Sequence, residues 1–548
     1  MQSPNIWGTL DPFIEGGDVM GRNVANEAFL RALLRRDPFK AYHFFLSTGQ
    51  QVDRVAGQLH LEFQDIQNRG GILVRLRNQL PAALARGGYH CFHLSDCINY
   101  PAYLAALRNK VSPDIFPITG VTHSLSYQRY SRDFLAHLWP GCTPRDCVVA
   151  TSDTAKAVVG RYFDLLCESY GDLPRPTVAT IPLGVDTDQY RPPSPAERDA
   201  ARAKLQLDPG QTMILVFARL SHFSKMDLVP LLRAMQRLPR LGVPLDTVRV
   251  VLAGWMGKGD ETYVETISNL AGNLGLPLMV VPKPDDQTKR ELFWGADVFL
   301  SPVDNPQETF GLTVLEAGAM GLPAVVSEYD GYRDLVVHGE TGYLIPTLGP
   351  ESTRAIDIMA PLLFDNEYHL QVAQQTVVDV AAMARALAEL VLDPALRRRL
   401  GEAGRQRMLE SFSWERVVDQ YVALWHRLRS QAVDAQALKL MRHPHSLPFS
   451  ELFGGYASNR LDEFVVQWSA SGQAVYRGHD FVSIYRAIAH RVNLEDVKKV
   501  AFMARKPLSG PKLALKVMEI LGKSEEDAQF LVLWCLKNDL LERVDDAT

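Results

Sequence analysis

Over roughly the first 425 residues, short runs of consecutive apolar residues alternate with stretches whose apolar positions recur every three or four residues. The runs at 5–10, 41–48, 212–220, 248–254, 276–282, 296–303 and 322–328 predict strands. Many are apolar throughout, as parallel strands covered on both faces must be. That pattern predicts α/β layers with helices on both sides of parallel sheets. The series occurs twice. The first set ends near the strand-like 177–186, and Pro192, Pro193 and Pro195 follow in a stretch better suited to a linker than to an element interior. A second set starts at Thr212. Two doubly wound domains, 1–190 and 191–412, are therefore expected to face each other across a cleft, with a helix over 413–431 closing the second unit.

Beyond 431 the period changes. Helical patterns over 480–492, 494–505, 511–522 and 524–539 predict a mostly helical module over 432–548, with Ser524 capping the last helix ahead of three acidic residues. Its apolar positions Phe481, Tyr485, Val517, Leu521, Phe530, Leu533 and Trp534 are expected in its core. A winged-helix-like bundle is one form it could take. The stretch has 15 basic and 15 acidic residues without a one-signed face, which disfavours nucleic acid as its partner. Docking on the rest of the chain, self-association, or recognition of a peptide or carrier are its expected uses.

Composition changes this picture little. With 548 residues, 47% hydrophobic and 22% charged, the chain is an ordinary globular one, and a net charge of −5 gives no global field toward nucleic acid or anionic lipid. No apolar run reaches the roughly 18 residues of a membrane span, and the first ten residues lack the basic flank and apolar core of a signal peptide. Six cysteines, none in a C-x-x-C pair or at zinc spacing with histidines, read as reduced thiols of a cytoplasmic protein. Peripheral membrane contact through faces such as 30–40 stays open.

The chemistry concentrates at 306–346. A strand at 296–303 runs into a loop carrying Glu308, and a helix begins near Gly311 with Glu316 inside it. Such a helix start binds a phosphate or diphosphate through its free N–H groups. Two carboxylates beside a phosphate site make sense when they accept hydrogen bonds from hydroxyls on either side of it, a sugar on one and a ribose on the other. That combination is a nucleotide sugar. Asp96, at another strand end, faces the same cleft as an acceptor contact or a structural hydrogen-bond acceptor.

Glu308 and Glu316, with Phe310-Gly311-Leu312 between them, resemble the signature of retaining GT-B glycosyltransferases of family 4. The segment 181–186 (IPLGVD) is similar to that family's interdomain segment, and Arg219 and Lys225 in ARLSHFSK to its basic pair. The first loop, Glu15 to Gly21, resembles its glycine-rich loop, and Thr122-His123 its first-domain histidine region. Phe412-Ser413-Trp414 opens what looks like its terminal crossover helix. The resemblance covers about 1–428. It implies two Rossmann-like domains in the GT-B arrangement, and it makes 349–375 an insertion, either a helical excursion near the cleft or an oligomer contact.

Carried onto this sequence, the resemblance implies a catalytic set of Glu308, His123, Arg219 and Lys225. Donor contacts fall to Gly17, Arg219, Lys225, Glu308, Thr309, Phe310, Gly311, Leu312 and Glu316, with Glu316 on the ribose and Glu308 on the transferred sugar. Asp96 and His123 would meet the acceptor. It also implies retention of anomeric configuration with no metal and no cofactor, because protein cations offset the leaving diphosphate. The acceptor (glycan, lipid, metabolite or peptide) is not encoded in any motif. A silent nucleotide-sugar-binding scaffold on the same fold is the alternative. The lone Asp-x-Asp string, Asp186 to Asp188, lies in the interdomain segment and is expected to cap a turn, not bind metal.

Overall fold

The structure is a computed structural model and describes residues 5–15, 21–257 and 260–544. The chain forms two compact units, 1–446 and 447–548.

The first unit holds two parallel sheets. One runs β3-β2-β1-β4-β5-β6-β7, from β1 (Ile6–Thr9), β2 (Ala41–Leu46), β3 (Ile72–Leu76), β4 (Tyr89–Leu94), β5 (Ile118–Val121), β6 (Asp146–Ala150) and β7 (Thr177–Thr180). The other runs β10-β9-β8-β11-β12-β13, from β8 (Thr212–Phe217), β9 (Val248–Gly254), β10 (Leu278–Pro282), β11 (Val298–Ser301), β12 (Ala324–Ser327) and β13 (Gly342–Ile345). In each, the strand order reverses direction beside the first strand, the place where open α/β sheets collect ligands. The inner strands are apolar because both faces are covered. Every residue of β4, β5, β6, β11 and β12 is buried.

The expected return helix spans Trp414–Arg429, and Ser413 caps it by accepting the Arg416 N–H. Its apolar stripe, Val417, Tyr421, Leu424, Trp425 and Leu428, is buried in the same core as Trp7, Phe29 and Tyr42 of the first sheet. Trp425 is fully buried, and its indole N–H donates to Thr119 Oγ1 at 3.0 Å. Gly184 is required beside it, since a Cβ there would meet the Trp414 ring at 2.4 Å. The segment 349–375 forms two helices, Arg354–Leu363 and Asn366–Ala373, between the two-residue strands β14 (Thr347–Leu348) and β15 (Val377–Val378).

Residues 432–446 belong to the first unit, so the extension begins at 447 and not at 432. The reason is local. His443 is buried, with Nε2 2.8 Å from Ala136 O, and the Ala435–Leu440 helix packs on the Pro101–Val111 helix. The second unit has helices Leu494–Met503, Gly510–Leu521 and Glu525–Lys537 and an antiparallel sheet in the order β17-β16-β18, from β16 (Val465–Trp468), β17 (Leu508–Ser509) and β18 (Leu541–Arg543). Its central strand comes from ahead of the three helices.

The helix expected over 480–492 does not form. Only the turn Arg486–Ile488 is helical there. Gly478 ends the Ala470–Arg477 helix with a φ of 78°, and the residues that then pack inward, Val482 and Ile484, are two apart, an extended period. Phe481 and Tyr485 consequently point outward, 82% and 73% exposed, and are not core. Leu533 is half-exposed as well, because Leu531, Val532, Trp534 and Cys535 already occupy the inner face of its helix. Val517 and Trp534 are buried as expected.

Candidate active site

The site lies where the C-terminal ends of β4, β5, β6, β11 and β12 converge. The two domains touch there directly. Ser152 Oγ donates to Thr309 O at 3.2 Å, Thr154 Oγ1 to Asp330 O at 3.3 Å, and Asp153 N to Asp334 Oδ2 at 2.7 Å.

Gly311 precedes the Leu312–Ala319 helix with a φ of 108°, and a Cβ on it would meet the Tyr332 ring at 2.3 Å. Only glycine tolerates both conditions. The first-turn N–H groups that an intrahelical acceptor cannot reach are thus presented at the end of β11. Phe310 buries its side chain, and its N–H is turned to Glu308 Oε1 at 3.3 Å. Thr313 Oγ1, in the same first turn, is buried without a hydrogen-bond partner among the described residues.

Glu316, one turn into this helix, is 7% exposed. Its Oε1 accepts from Lys289 Nζ at 2.6 Å, and its Oε2 is buried without a partner among the described residues. Lys289 also donates to Tyr190 Oη at 3.1 Å and sits 5.0 Å and 5.3 Å from the Tyr190 and Phe217 ring centroids. Burial pulls the Lys289 ammonium down, but Glu316 and Tyr190 outweigh it and hold it above the usual lysine range. Burial pushes the Tyr190 hydroxyl up to about 12. The result is a fixed carboxylate with one oxygen held and one to spare, suited to accepting hydroxyl hydrogens.

Glu308 is in direct ion-pair contact with Lys225, and its Oε1 accepts the N–H groups of Thr309 and Phe310, each at 3.3 Å. Burial, and then the neighbouring Arg219 charge, act to lower the Lys225 ammonium, and the ion pair with the Glu308 carboxylate opposes them by favouring the charged form. Arg219 is exposed and reaches Ser224 Oγ at 3.1 Å. Of the residues read from sequence, these are brought together on one side of the site.

On the other side, His123 Nε2 lies 2.7 Å from Ser95 O. A carbonyl only accepts, so the proton is on Nε2 and Nδ1 is the basic nitrogen. Burial lowers the imidazole to about 4, which keeps it neutral. Asp96 spends its carboxylate on its own turn, accepting from Ile98 N, Asn99 N and Asn99 Nδ2 at 2.8–3.0 Å. Asp11 accepts from Ser95 N and Oγ and so braces the same strand end; burial raises its carboxyl to about 6. Asp186 caps its turn through the N–H groups of Asp188 and Gln189. Gly17 lies outside the described residues.

Sequence reasoning missed Lys289. Its signal was present, since Lys289, Leu292 and Phe293 form one stripe of the Asp286–Gly295 helix, the latter two buried, which places a lysine on an inner face. It also missed Thr313 and His369, the latter a buried histidine of the inserted helices.

Residues 197–377, about a third of the chain, match the family described as Glycosyl transferases group 1. The chain is 30% identical over 274 residues to a D-inositol 3-phosphate glycosyltransferase of Rhodococcus opacus, covering 50% of this chain and 52% of that protein. It is 26% identical over 262 residues to an alpha-maltose-1-phosphate synthase of Mycobacterium tuberculosis, covering 47% and 59%. The chain thus matches just over half the length of these curated relatives. Among solved structures, it resembles Anabaena HepE in complex with UDP (TM-score 0.51, 16% identity, 77% of this chain and 100% of that one). Sucrose-phosphate synthase from Thermosynechococcus elongatus is similar too (TM-score 0.50, 20% identity, 77% and 98%). The fold is GT-B, with a helical C-terminal unit added. Among the described residues, no helix is long and apolar enough to cross a membrane.

Proposed function

We propose that the chain is a retaining, metal-independent glycosyltransferase of the family 4 type, moving a sugar from a nucleoside-diphosphate sugar to an acceptor hydroxyl. The observation that carries this is the spare, buried Oε2 of Glu316, a residue whose Oε1 is held by Lys289 and which sits on the helix that Gly311 opens. A buried carboxylate oxygen without a partner costs free energy until a donor arrives. The ribose hydroxyls of a nucleotide bound with its phosphates at the helix start are such donors. The group 1 family match over 197–377 and the UDP bound by the Anabaena relative support the same reading.

On this reading Glu308 accepts from hydroxyls of the donor sugar. Lys225, Arg219 and the helix N-terminus offset the charge that grows on the diphosphate as the bond from the anomeric carbon to the phosphate oxygen breaks. The acceptor oxygen attacks from the same face, and its proton passes to the departing phosphate oxygen. His123, neutral and fixed by Ser95, lies on the acceptor side. No metal is needed, because the protein supplies the positive charge.

The test is a thermal-shift panel of UDP, GDP, UDP-glucose, UDP-N-acetylglucosamine and GDP-mannose, with and without chelator, on wild type and Glu316→Gln. A ligand at 100 times its Kd adds about 2.7 kcal/mol. The expected result is a shift with one nucleotide and its sugar, insensitive to chelator and lost in the variant. No shift with any member overturns the reading. A shift without turnover on any acceptor, water included, favours a silent nucleotide-sugar-binding scaffold.

A further inference from the structure

The two inserted helices, Arg354–Leu363 and Asn366–Ala373, are not a surface decoration. They place His369, 1% exposed, between the two halves of the site. Its Nε2 is 2.9 Å from Ser126 Oγ, on the first-domain loop that follows β5 and carries His123. Its Nδ1 is 2.7 Å from the side-chain nitrogen of Gln307, the residue before Glu308. Gln307 donates there, so Nδ1 is unprotonated and the ring's proton sits on Nε2, directed at Ser126. Burial lowers the His369 imidazole and favours this neutral form. The Tyr127 and Phe364 rings meet it edge-on, at 5.1 Å and 4.8 Å, which fixes its plane. A second tie runs from the end of the same segment. Gln374 Nε2 donates to Asp227 Oδ2 at 3.2 Å, two residues beyond Lys225.

We propose that His369 is a positioning residue that spans the cleft, coupling the acceptor-side loop at Ser126 to the Glu308 loop through Gln307 and thereby setting the separation of donor sugar and acceptor. The inference rests on the transferase reading above. Its reason is geometric. Front-face transfer needs the acceptor oxygen near van der Waals contact with the anomeric carbon, and a misplacement of about 1 Å costs on the order of 100-fold in rate. The two loops belong to different domains, which also meet at Ser152–Thr309, Thr154–Asp330 and Asp153–Asp334. The His369 tie differs in joining the loop that carries Ser126 to the residue beside Glu308, and so acts on the separation of donor sugar and acceptor directly.

Two measurements on the full chain test it. The first is amide hydrogen exchange in wild type, His369→Ala and Ser126→Ala. Coupling predicts that Ser126→Ala, a change on the first domain, loosens 305–312 across the cleft. If its effect stays within 123–130, the proposal is overturned. The second is steady-state release of nucleoside diphosphate from whichever sugar nucleotide gives the thermal shift, with water as acceptor. His369→Ala is expected to lower kcat about tenfold or more with KM for the donor within about twofold. His369→Gln, which keeps a donor toward Ser126, is expected to recover part of the loss. The double variant Ser126→Ala/His369→Ala should be no slower than His369→Ala alone. Unchanged kcat, or additive losses in the double variant, overturn the proposal. No nucleotide shift and no release by wild type overturn the transferase reading instead, leaving the exchange result to stand by itself.

Discussion

Lys289 Nζ lies 2.6 Å from Glu316 Oε1, and the two residues, 27 apart in sequence, reach each other from separate helices of the second domain. Both side chains are largely buried, 18% and 9% exposed. Removing either partner alone strands a charge in a low-dielectric setting, which costs about 3–5 kcal/mol. Lys289→Ala is therefore expected to lower stability by that order and to abolish the nucleotide-dependent thermal shift. Lys289→Met with Glu316→Leu should restore much of the stability and none of the shift. Chemical denaturation of the three chains, each with and without nucleotide, checks both halves. A stable Lys289→Ala that still responds to nucleotide refutes the role given to the pair.

At Gly311 the limit is steric. A φ of 108° and a Tyr332 ring 2.3 Å from where a Cβ would stand mean that Gly311→Ala has to move either the helix start or the ring. Tyr332 is itself fully buried and its hydroxyl is 2.8 Å from Ser301 Oγ, so it has little room to yield. The expected cost is about 1–3 kcal/mol, together with loss of nucleotide binding, read by thermal denaturation and calorimetric titration. Retained affinity in Gly311→Ala shows that the ligand does not use this helix start.

The return helix can be tested separately from the chemistry. Trp425 is fully buried in the first domain's core and donates to Thr119 Oγ1, although its helix follows the second domain in sequence. Trp425→Ala is expected to cost about 3–5 kcal/mol in denaturant unfolding. Trp425→Phe keeps most of the ring volume and should cost less. Nucleotide affinity of the folded Trp425→Phe chain is expected to stay near wild type, since the proposed donor contacts Lys289, Glu308, Gly311 and Glu316 lie in the second domain.

Much of the fold is legible in the sequence where burial on both faces leaves an unbroken apolar run. Strands β8, β11 and β12 fall inside such runs; β9 is interrupted only by Arg249, and β10 is an apolar but half-buried edge strand. Strand β5, with Thr119 and Gly120 at its centre, and β6, opening on Asp146, carry polar or small residues that interrupt the run. Asp146 is tolerated because buried Arg108 pairs with it at 2.6 Å, a long-range contact no local pattern shows. The same limit applies at the site. Glu308, Gly311 and Glu316 sit within nine residues and declare themselves by spacing. Lys289, Ser126 and His369 come from three distant segments, and only the fold brings them to the cleft. In the second unit, an extended stretch with two inward residues reads as a helix in the sequence because Phe481, Tyr485 and Ile488 also fit that period.

Asp304 offers a pH test of the floor of the site. It follows β11, is 3% exposed, accepts Asp227 N at 3.2 Å through Oδ2 and leaves Oδ1 buried without a partner among the described residues. Burial lifts its carboxyl to about 7 from an ordinary value of 3.8. A group raised in this way binds its proton more tightly folded than unfolded. Its stabilising effect is fully present below 3.8 and is lost as pH rises through 7. Asp304→Asn removes that titration while its amide oxygen still accepts from Asp227. The melting temperature of the variant relative to wild type is therefore expected to climb between about pH 4 and pH 7 and to level off near pH 8. A tenfold change in proton affinity corresponds to about 1.4 kcal/mol, so the full swing is at most about 4 kcal/mol. Thermal unfolding of both chains across that pH range measures it. A constant difference throughout shows Asp304 to be ionised at every pH, and therefore paired with a cation or water that offsets its burial.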